Sequence, residues 1–240
     1  MKIELLSIIV PLYNEQEVLA ELASRCLASG EAAGCSVELL LVDDASGDNT
    51  PVILKGLASD PRVRVLRLDV NHGQFGATRE GLRQMRGDWA VVLDGDLQDP
   101  PEKIIDLVRR LDQVEDGETV VFAVKTKRNE GIWFRTGNLV YRWALGLLGA
   151  SLPAGAGSYC LMSRSMAQNM AAVGVRTANL AAVLSALGAR CVCVPYEKLG
   201  RYDGRSRVGW AGLILEAFAS LVIVSPLGRR LLRAHLRTAP

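Results

Sequence analysis

Trp89-Ala-Val-Val-Leu-Asp-Gly-Asp-Leu-Gln-Asp-Pro-Pro101 is the stretch from which the rest of the chain can be read. Its first five residues form an unbroken apolar run, the pattern of a strand buried on both faces. Two carboxylates, Asp94 and Asp96, follow at once with a single glycine between them. Pro101 carries the fixed φ that suits the first turn of a helix, so a helix is expected over 101–111. Strand, polar turn and helix make one unit of a parallel sheet, and such sheets bind ligands at the carboxyl ends of their strands. There, carboxylates at i and i+2 can converge on one oxygen-preferring cation, Mg²⁺ or Mn²⁺, and Gln98 can add a neutral oxygen ligand or orient one. The same residues also suit a plain strand end, with Asp99 capping the next helix. Their place at the ligand edge favours the cation.

The same alternation repeats to either side. Apolar runs at 7–11, 37–42, 63–68 and 119–124 read as further strands, and 15–28, 49–58 and 73–85 as helices between them. Helical crossovers between strands imply an α/β domain with a Rossmann-like, mostly parallel sheet covered by helices on both faces. Beyond 125 the pattern is less regular. A helix over 133–148, a small-residue loop over 154–158, a strand at 159–162, helices over 164–172 and 178–187, and a strand at 190–194 are expected.

Two more strand ends carry polar groups. In Val42-Asp-Asp-Ala-Ser-Gly-Asp-Asn-Thr50, Asp43 and Asp44 can accept hydrogen bonds from a ribose hydroxyl or a base N–H, while Asp48 or Asn49 caps the helix that Pro51 opens. In Val10-Pro-Leu-Tyr-Asn-Glu15, Tyr13 can stack on a base and Glu15 can bond its sugar or ring; a simple strand-to-helix junction would look the same.

Composition narrows the classes. With 240 residues, 49% of them hydrophobic, the chain can bury one substantial core. A formal net charge of +2 gives no reason to expect nucleic acid as a partner. Five cysteines are an odd number for a disulfide framework, and Cys191 and Cys193, two apart in an alternating run, are expected to share a strand face. Two histidines, His72 and His235, are too few to suggest a zinc site. No signal-peptide pattern opens the chain, so a cytoplasmic start is expected.

The carboxyl-terminal stretch is apolar from Val208 to Leu227, interrupted by Glu216 and by Pro226, and then basic through Arg229, Arg230, Arg233 and Arg237. A bilayer span needs about 20 apolar residues, and a mid-helix carboxylate costs roughly 2.5–3.5 kcal/mol on insertion scales, so a span is not expected. The segment suits either attachment to an anionic membrane surface or a buried helix with a solvated basic end. The expected division is a catalytic domain over 1–207 and a helical segment over 208–240.

Taken together, Val10–Glu15, Val42–Thr50, Asn71-His-Gly-Gln74 and Leu93–Pro101 resemble the family 2 glycosyltransferases of GT-A fold, and among them the polyprenyl-phosphate hexosyltransferases of the dolichol-phosphate mannose synthase group. Weaker agreement extends to Lys125-Thr-Lys-Arg128, to Gly157–Arg164 and to Arg201–Arg207. The resemblance implies an inverting, divalent-metal-dependent transfer of a sugar from a UDP- or GDP-linked donor to a polyprenyl, undecaprenyl-type phosphate. It implies that Pro11, Tyr13, Glu15, Asp43, Asp44 and Gln74 hold the nucleotide sugar. Asp94 and Asp96 bind the cation with Gln98 beside them, and Lys125, Arg128, Arg201 and Arg207 meet phosphate groups. Gln98, Arg201, Ser206 and Arg207 are the acceptor-side candidates, and Asp94, Asp96 and Arg201 the catalytic ones.

The chain departs from the family's pattern at Ser158, where relatives often carry Asp, and at Cys160, where they often carry Arg. Ser206-Arg-Val-Gly209 also differs from the Ser-Lys-Tyr run expected there. A hydroxyl acceptor needs a general base and a lipid phosphate does not. Serine is no such base, which suits a phosphate acceptor. A soluble hydroxyl acceptor and a non-catalytic nucleotide-sugar-binding subunit remain the other readings. The sequence does not fix the oligomeric state.

Overall fold

The first strand, β1 (Leu5–Leu12), is buried at every residue after Leu5, and a strand buried in this way needs a neighbour on each side. In the computed structural model it pairs in parallel with β2 (Ser36–Asp43) on one flank and with β4 (Trp89–Val92) on the other. The structure describes residues 3–114, 119–126, 132–150, 153, 155–175, 178–197 and 210–238. Among the described residues seven strands form one sheet in the order β3-β2-β1-β4-β6-β5-β7, with β3 at Val63–Arg67, β5 at Thr119–Lys125, β6 at Ala156–Ser163 and β7 at Arg190–Tyr196. Only β6 runs against the rest, antiparallel to both β4 and β5. This is the α/β, mostly parallel GT-A sheet expected.

Period-two alternation divides each central strand between two cores. Leu6, Ile8 and Val10 of β1 join Leu39 and Leu41 of β2 in a cluster with α1 (Leu19–Ala32) and α4 (Lys103–Leu111). Ile9, Leu40 and Val42 face the other way, toward α3 (Gly73–Gln84), α6 (Arg164–Ala172) and α7 (Leu180–Ala186). Truncating one such side chain, Ile9→Ala for example, costs about 2–5 kcal/mol. Away from the ligand edge, the carboxylate of Glu38 is buried. It accepts from Ser7 Oγ at 2.6 Å and from the Arg86 N–H at 2.9 Å and pairs with Arg64 at 2.5 Å, joining β1, β2, β3 and the turn into β4.

Three differences from the sequence pattern bear on the site and its surroundings, the first two for long-range reasons. First, α1 starts at Leu19 rather than near Glu15, because the N–H groups of Asn14, Glu15 and Gln16 donate sideways to Ser46, Thr50 and Asp48 instead of starting a helical turn. Second, β6 begins at Ala156 rather than Tyr159. Gly155, at φ +83°, turns the chain beside Lys125, where a Cβ would lie 3.1 Å from the Lys125 carbonyl oxygen. Because β6 is antiparallel, its first residues lie at the same end of the sheet as the last residues of β4 and β5. Third, the apolar carboxyl-terminal stretch divides into α8 (Trp210–Val224) and α9 (Pro226–Thr238), with Pro226 at the first position of α9. Glu216 of α8 lies half-buried with Asn179 Nδ2 donating to it at 3.4 Å, and burial raises its carboxyl pKa. Cys191 and Cys193 both lie in β7.

Candidate functional site

The first wall of the site is a pair of interlaced loops. Besides the three bonds above, Gly47 N–H donates to Asn14 Oδ1 at 2.8 Å and Asn49 N–H to Gln16 Oε1 at 2.9 Å. The turn between β1 and α1 and the turn between β2 and α2 (Thr50–Leu57) therefore form one unit. Tyr13 stands out from it, 42% exposed, while Pro11 is buried below. Asp43 is fully buried. One of its oxygens accepts from the Ser46 N–H at 2.9 Å, and the other faces Arg67 Nε at 3.5 Å.

Asp44 connects this unit to the next. Its carboxylate accepts from the His72 N–H at 2.7 Å and its carbonyl accepts from Asn71 Nδ2 at 3.2 Å, so it anchors the turn that opens α3. Burial raises its pKa, against the opposing pull of the His72 and Gly73 N–H groups. Two residues further on, Gln74 reaches out of the first turn of α3 and donates from Nε2 to Asp94 Oδ1 at 2.5 Å.

Asp94 stands at the centre. The same Oδ1 also accepts from Ser158 Oγ at 2.5 Å, the hydroxyl that β6 delivers from the opposite flank. Burial is the largest influence on its carboxyl and Asp99 the next. Both push it up, Ser158 and Lys125 pull it down, and it rests at about 6. Gly95 is required here: a Cβ would lie 2.5 Å from Leu12 Cδ2 and 3.1 Å from the Pro11 carbonyl oxygen, so the Asp-Gly-Asp turn lies directly on the end of β1. Leu97 adopts φ +55°, and Asp96 Oδ1 accepts from the Gln98 N–H at 3.1 Å, closing a tight turn. Gln98 is buried with its Nε2 unpaired.

The buried Asp99 fixes the far wall. The hydroxyl of Tyr196, at the end of β7, donates to it, and Lys125 Nζ at the end of β5 lies 3.5 Å from it. Tyr159 donates to the Pro100 carbonyl at 3.0 Å and packs edge-on against Tyr196 at 6.0 Å. Gln74 and Ser158 thus meet at Asp94, Lys125 and Tyr196 meet at Asp99, the charges of Asp99 and Lys125 are felt at Asp94, and Asp96 and Gln98 lie in the turn between the two carboxylates. Arg128, Arg201, Ser206 and Arg207 lie outside the described residues. The sequence reading did not single out the bond from Ser158 to Asp94 or the pairing of Asp99 with Tyr196. The one available signal was the change from Asp to Ser at 158.

The donor set suits a divalent cation. The charges of Asp99 and Asp96 both raise the carboxyl of Asp94, while Lys125, which lies beside Asp99, pulls it down. Among the described residues no group of three His, Cys, Asp or Glu side chains is placed to hold a metal by itself; two carboxylates on the Asp94–Asp96 turn could hold one with water or ligand oxygens at the remaining positions. Mg²⁺ and Mn²⁺ in phosphate-handling sites take ligands in that way.

Comparison with known proteins decides the family. The model of glycosyl transferase family 2 matches residues 7–170. The chain belongs to glycosyl transferase family 2. That span holds every described group of the site except Tyr196. The chain is 33% identical over 218 residues to an undecaprenyl-phosphate 4-deoxy-4-formamido-L-arabinose transferase from Edwardsiella ictaluri (strain 93-146), covering 88% of this chain and 65% of that protein. It therefore spans just under two thirds of that relative's length. Among solved structures it is similar in fold to mannosyltransferase PcManGT from Pyrobaculum calidifontis in complex with GDP-Man and Mn²⁺, with TM-score 0.60, 21% identity, and coverage of 100% of this chain and 75% of that one. A second is glucosyl-3-phosphoglycerate synthase from Mycobacterium tuberculosis in complex with Mn²⁺, uridine diphosphate and glucosyl-3-phosphoglycerate, with TM-score 0.63, 20% identity, and coverage of 92% and 80%. In this family 2 chain no described helix is long and apolar enough to cross a membrane.

Proposed function

We propose that this family 2 protein is an inverting glycosyltransferase that moves a sugar from a UDP- or GDP-linked donor to a polyprenyl, undecaprenyl-type phosphate. The observation that carries the reading is the placement of Asp94 and Asp96 between the interlaced nucleoside-side loops and Lys125. The name of the Edwardsiella relative supports the acceptor, and the bound ligands of the two solved structures support the donor and the metal.

Pro11, Tyr13, Glu15 and Asp43 hold the nucleoside in this reading. Asp44 holds the turn that carries Gln74, and Gln74 with Ser158 fixes the rotamer of Asp94. Asp94 and Asp96 hold Mg²⁺ or Mn²⁺, with Gln98 beside them. When bound, the cation supplies Lewis-acid neutralisation of the charge that grows on the departing diphosphate. Lys125, kept in place by Asp99, adds a fixed positive charge on the same side, and Arg128, Arg201 and Arg207 are assigned to phosphate groups of donor or acceptor, a role that suits guanidinium chemistry. Arg201, Ser206, Arg207 and Gln98 are assigned to the acceptor side.

The absence of a strong base at 158 agrees with a phosphate acceptor. The Ser158 hydroxyl donates to Asp94, and a lipid monophosphate is already anionic near neutral pH. Such an acceptor lies in a membrane, so the protein is read as working at the inner membrane face, held there peripherally by its apolar and basic carboxyl-terminal segment. The test is incubation of the protein with UDP- and GDP-sugars, Mg²⁺ or Mn²⁺, and undecaprenyl phosphate. The expected result is a sugar-lipid product with release of UDP or GDP. Donor binding with no product from any common donor would contradict the assignment.

A further inference from the structure

Twelve large apolar side chains are exposed among the described residues, and nine of them lie on only three helices, α5 (Ile132–Leu147), α8 and α9. Their spacing is regular. Leu139, Trp143 and Leu147 repeat every four residues along α5, and so do Ile214, Phe218 and Val222 along α8, with Leu215 beside them; Leu227 and Leu231 do the same on α9. Residues four apart share a helix face. Trp143 is 66% exposed and Phe218 65%.

These faces are not the ones that hold the helices to the protein. Leu145 of α5, Ile223 and Val224 of α8, and Leu232 of α9 are buried in the core on that side of the sheet. Arg229 ties the start of α9 to the end of α5 by donating to the carbonyls of Leu148 and Gly149. Glu216, the one carboxylate in the three helices, is held by Asn179. α5 and α8 are thus apolar on the protein side and carry exposed apolar side chains again on the outer side, where a helix of a soluble monomer carries polar groups, and α9 sets exposed leucines beside exposed basic residues.

Charge identifies the occupant. Residues 132–150 and 210–238 contain six arginines, no lysine, and no acidic residue except Glu216. Arg230 and Arg233 are exposed on α9 beside its leucines. A second copy of this chain would bring like charges together. A bilayer with anionic headgroups offers apolar interior to the leucines and aromatics and phosphate to the guanidinium groups. The stretch ending in Arg128 runs directly into α5, and the stretch holding Arg201 and Arg207 runs directly into α8.

We propose that α5, α8 and α9 together form a monotopic docking platform for an anionic membrane. This deepens the proposed lipid-phosphate acceptor and rests on that reading. It adds α5 as an equal part of the surface and assigns the burden of attachment to exposed side chains rather than to the carboxyl-terminal segment as a whole.

The test is co-flotation of the full chain with vesicles of phosphatidylcholine alone and of phosphatidylcholine mixed with phosphatidylglycerol, at low and high salt. The variants are Trp143→Gln/Leu147→Gln on α5, Phe218→Gln/Val222→Gln on α8 and Arg230→Gln/Arg233→Gln on α9. All six positions are exposed, so thermal midpoints should stay near that of the parent. The expected result is binding that needs phosphatidylglycerol and weakens with salt. Either apolar pair should reduce it tenfold or more, and the arginine pair about fivefold per residue. Three results would each overturn the proposal: α5 variants that bind like the parent, binding indifferent to anionic lipid, or a stable dimer in solution that the α5 substitutions dissociate. Sugar transfer to a short, water-soluble prenyl phosphate is measured alongside. Transfer without vesicle binding removes the platform and leaves the function; vesicle binding without transfer to any prenyl phosphate does the reverse.

Discussion

Ser158→Ala is the most informative single change at the candidate centre, because its effect can be worked from the geometry. Asp94 Oδ1 accepts two bonds, from Gln74 and from Ser158, each at 2.5 Å, and its carboxyl already rests at about 6 because burial and Asp99 oppose its ionisation. A hydrogen bond to a charged group contributes about 1.5–3 kcal/mol, and one pKa unit corresponds to about 1.4 kcal/mol, so removing the Ser158 donor should raise Asp94 by about one unit or somewhat more. The sign is fixed. Cation binding requires the carboxylate, and the variant keeps the proton to higher pH. At pH 7 roughly a tenth of the parent's Asp94 is protonated, against about half in the variant. Calorimetric titration of Mn²⁺ in the presence of UDP or GDP, across pH 5–8, measures this. In the parent the apparent affinity should rise about tenfold per pH unit up to about 6 and then level; in Ser158→Ala the break should move to about 7. Ser158→Thr, which keeps a hydroxyl, should restore the parent's break. An unmoved break in Ser158→Ala would refute the clamp, and so would a loss of affinity equal at every pH.

Three further changes test other parts of the account. Asp96→Asn removes a charged ligand, so turnover should fall by orders of magnitude while circular dichroism and thermal midpoint stay near those of the parent; a near-normal rate at low Mg²⁺ would overturn the role of Asp96. Gly95→Ala puts a methyl group against Leu12 and the Pro11 carbonyl, which should cost about 1–3 kcal/mol of stability and weaken Mn²⁺ binding, as read by urea unfolding and calorimetry. Glu38 is held below the ordinary carboxylate range by Ser7, Arg64 and the Arg86 N–H despite its burial. Its contribution is therefore present above the unfolded pKa and lost as pH falls through the lower folded one. Glu38→Gln should cost about 2 kcal/mol at neutral pH and flatten the acid dependence of urea unfolding, without altering nucleotide binding.

The sheet was legible because buried parallel strands announce themselves as apolar runs, and the loops after Val42 and Leu93 stood out because carboxylates follow those runs at once. The groups brought in from a distance were not legible. Ser158 reads as part of a small-residue loop until the direction of β6 is known, since only an antiparallel strand brings its first residues to the ligand edge. Asp99 reads as a helix cap, yet its partners lie at the ends of β5 and β7. Asp44 and Asp43 are adjacent and chemically alike, and only the fold shows that the carboxylate of Asp44 is taken up by the turn into α3. Glu216 looked like an interruption of an apolar helix, and its contact with Asn179 removes it from the outer face.

The central claim is that Asp94 and Asp96 hold a divalent cation against the diphosphate of a bound nucleotide sugar. Manganese anomalous scattering from crystals grown with Mn²⁺ and UDP or GDP tests it most directly. The account predicts one strong peak within coordination distance, about 2.0–2.3 Å, of oxygens from the Asp94–Gln98 turn and of the nucleotide's phosphates. A nucleotide bound elsewhere, or a peak out of reach of both carboxylates, would contradict it.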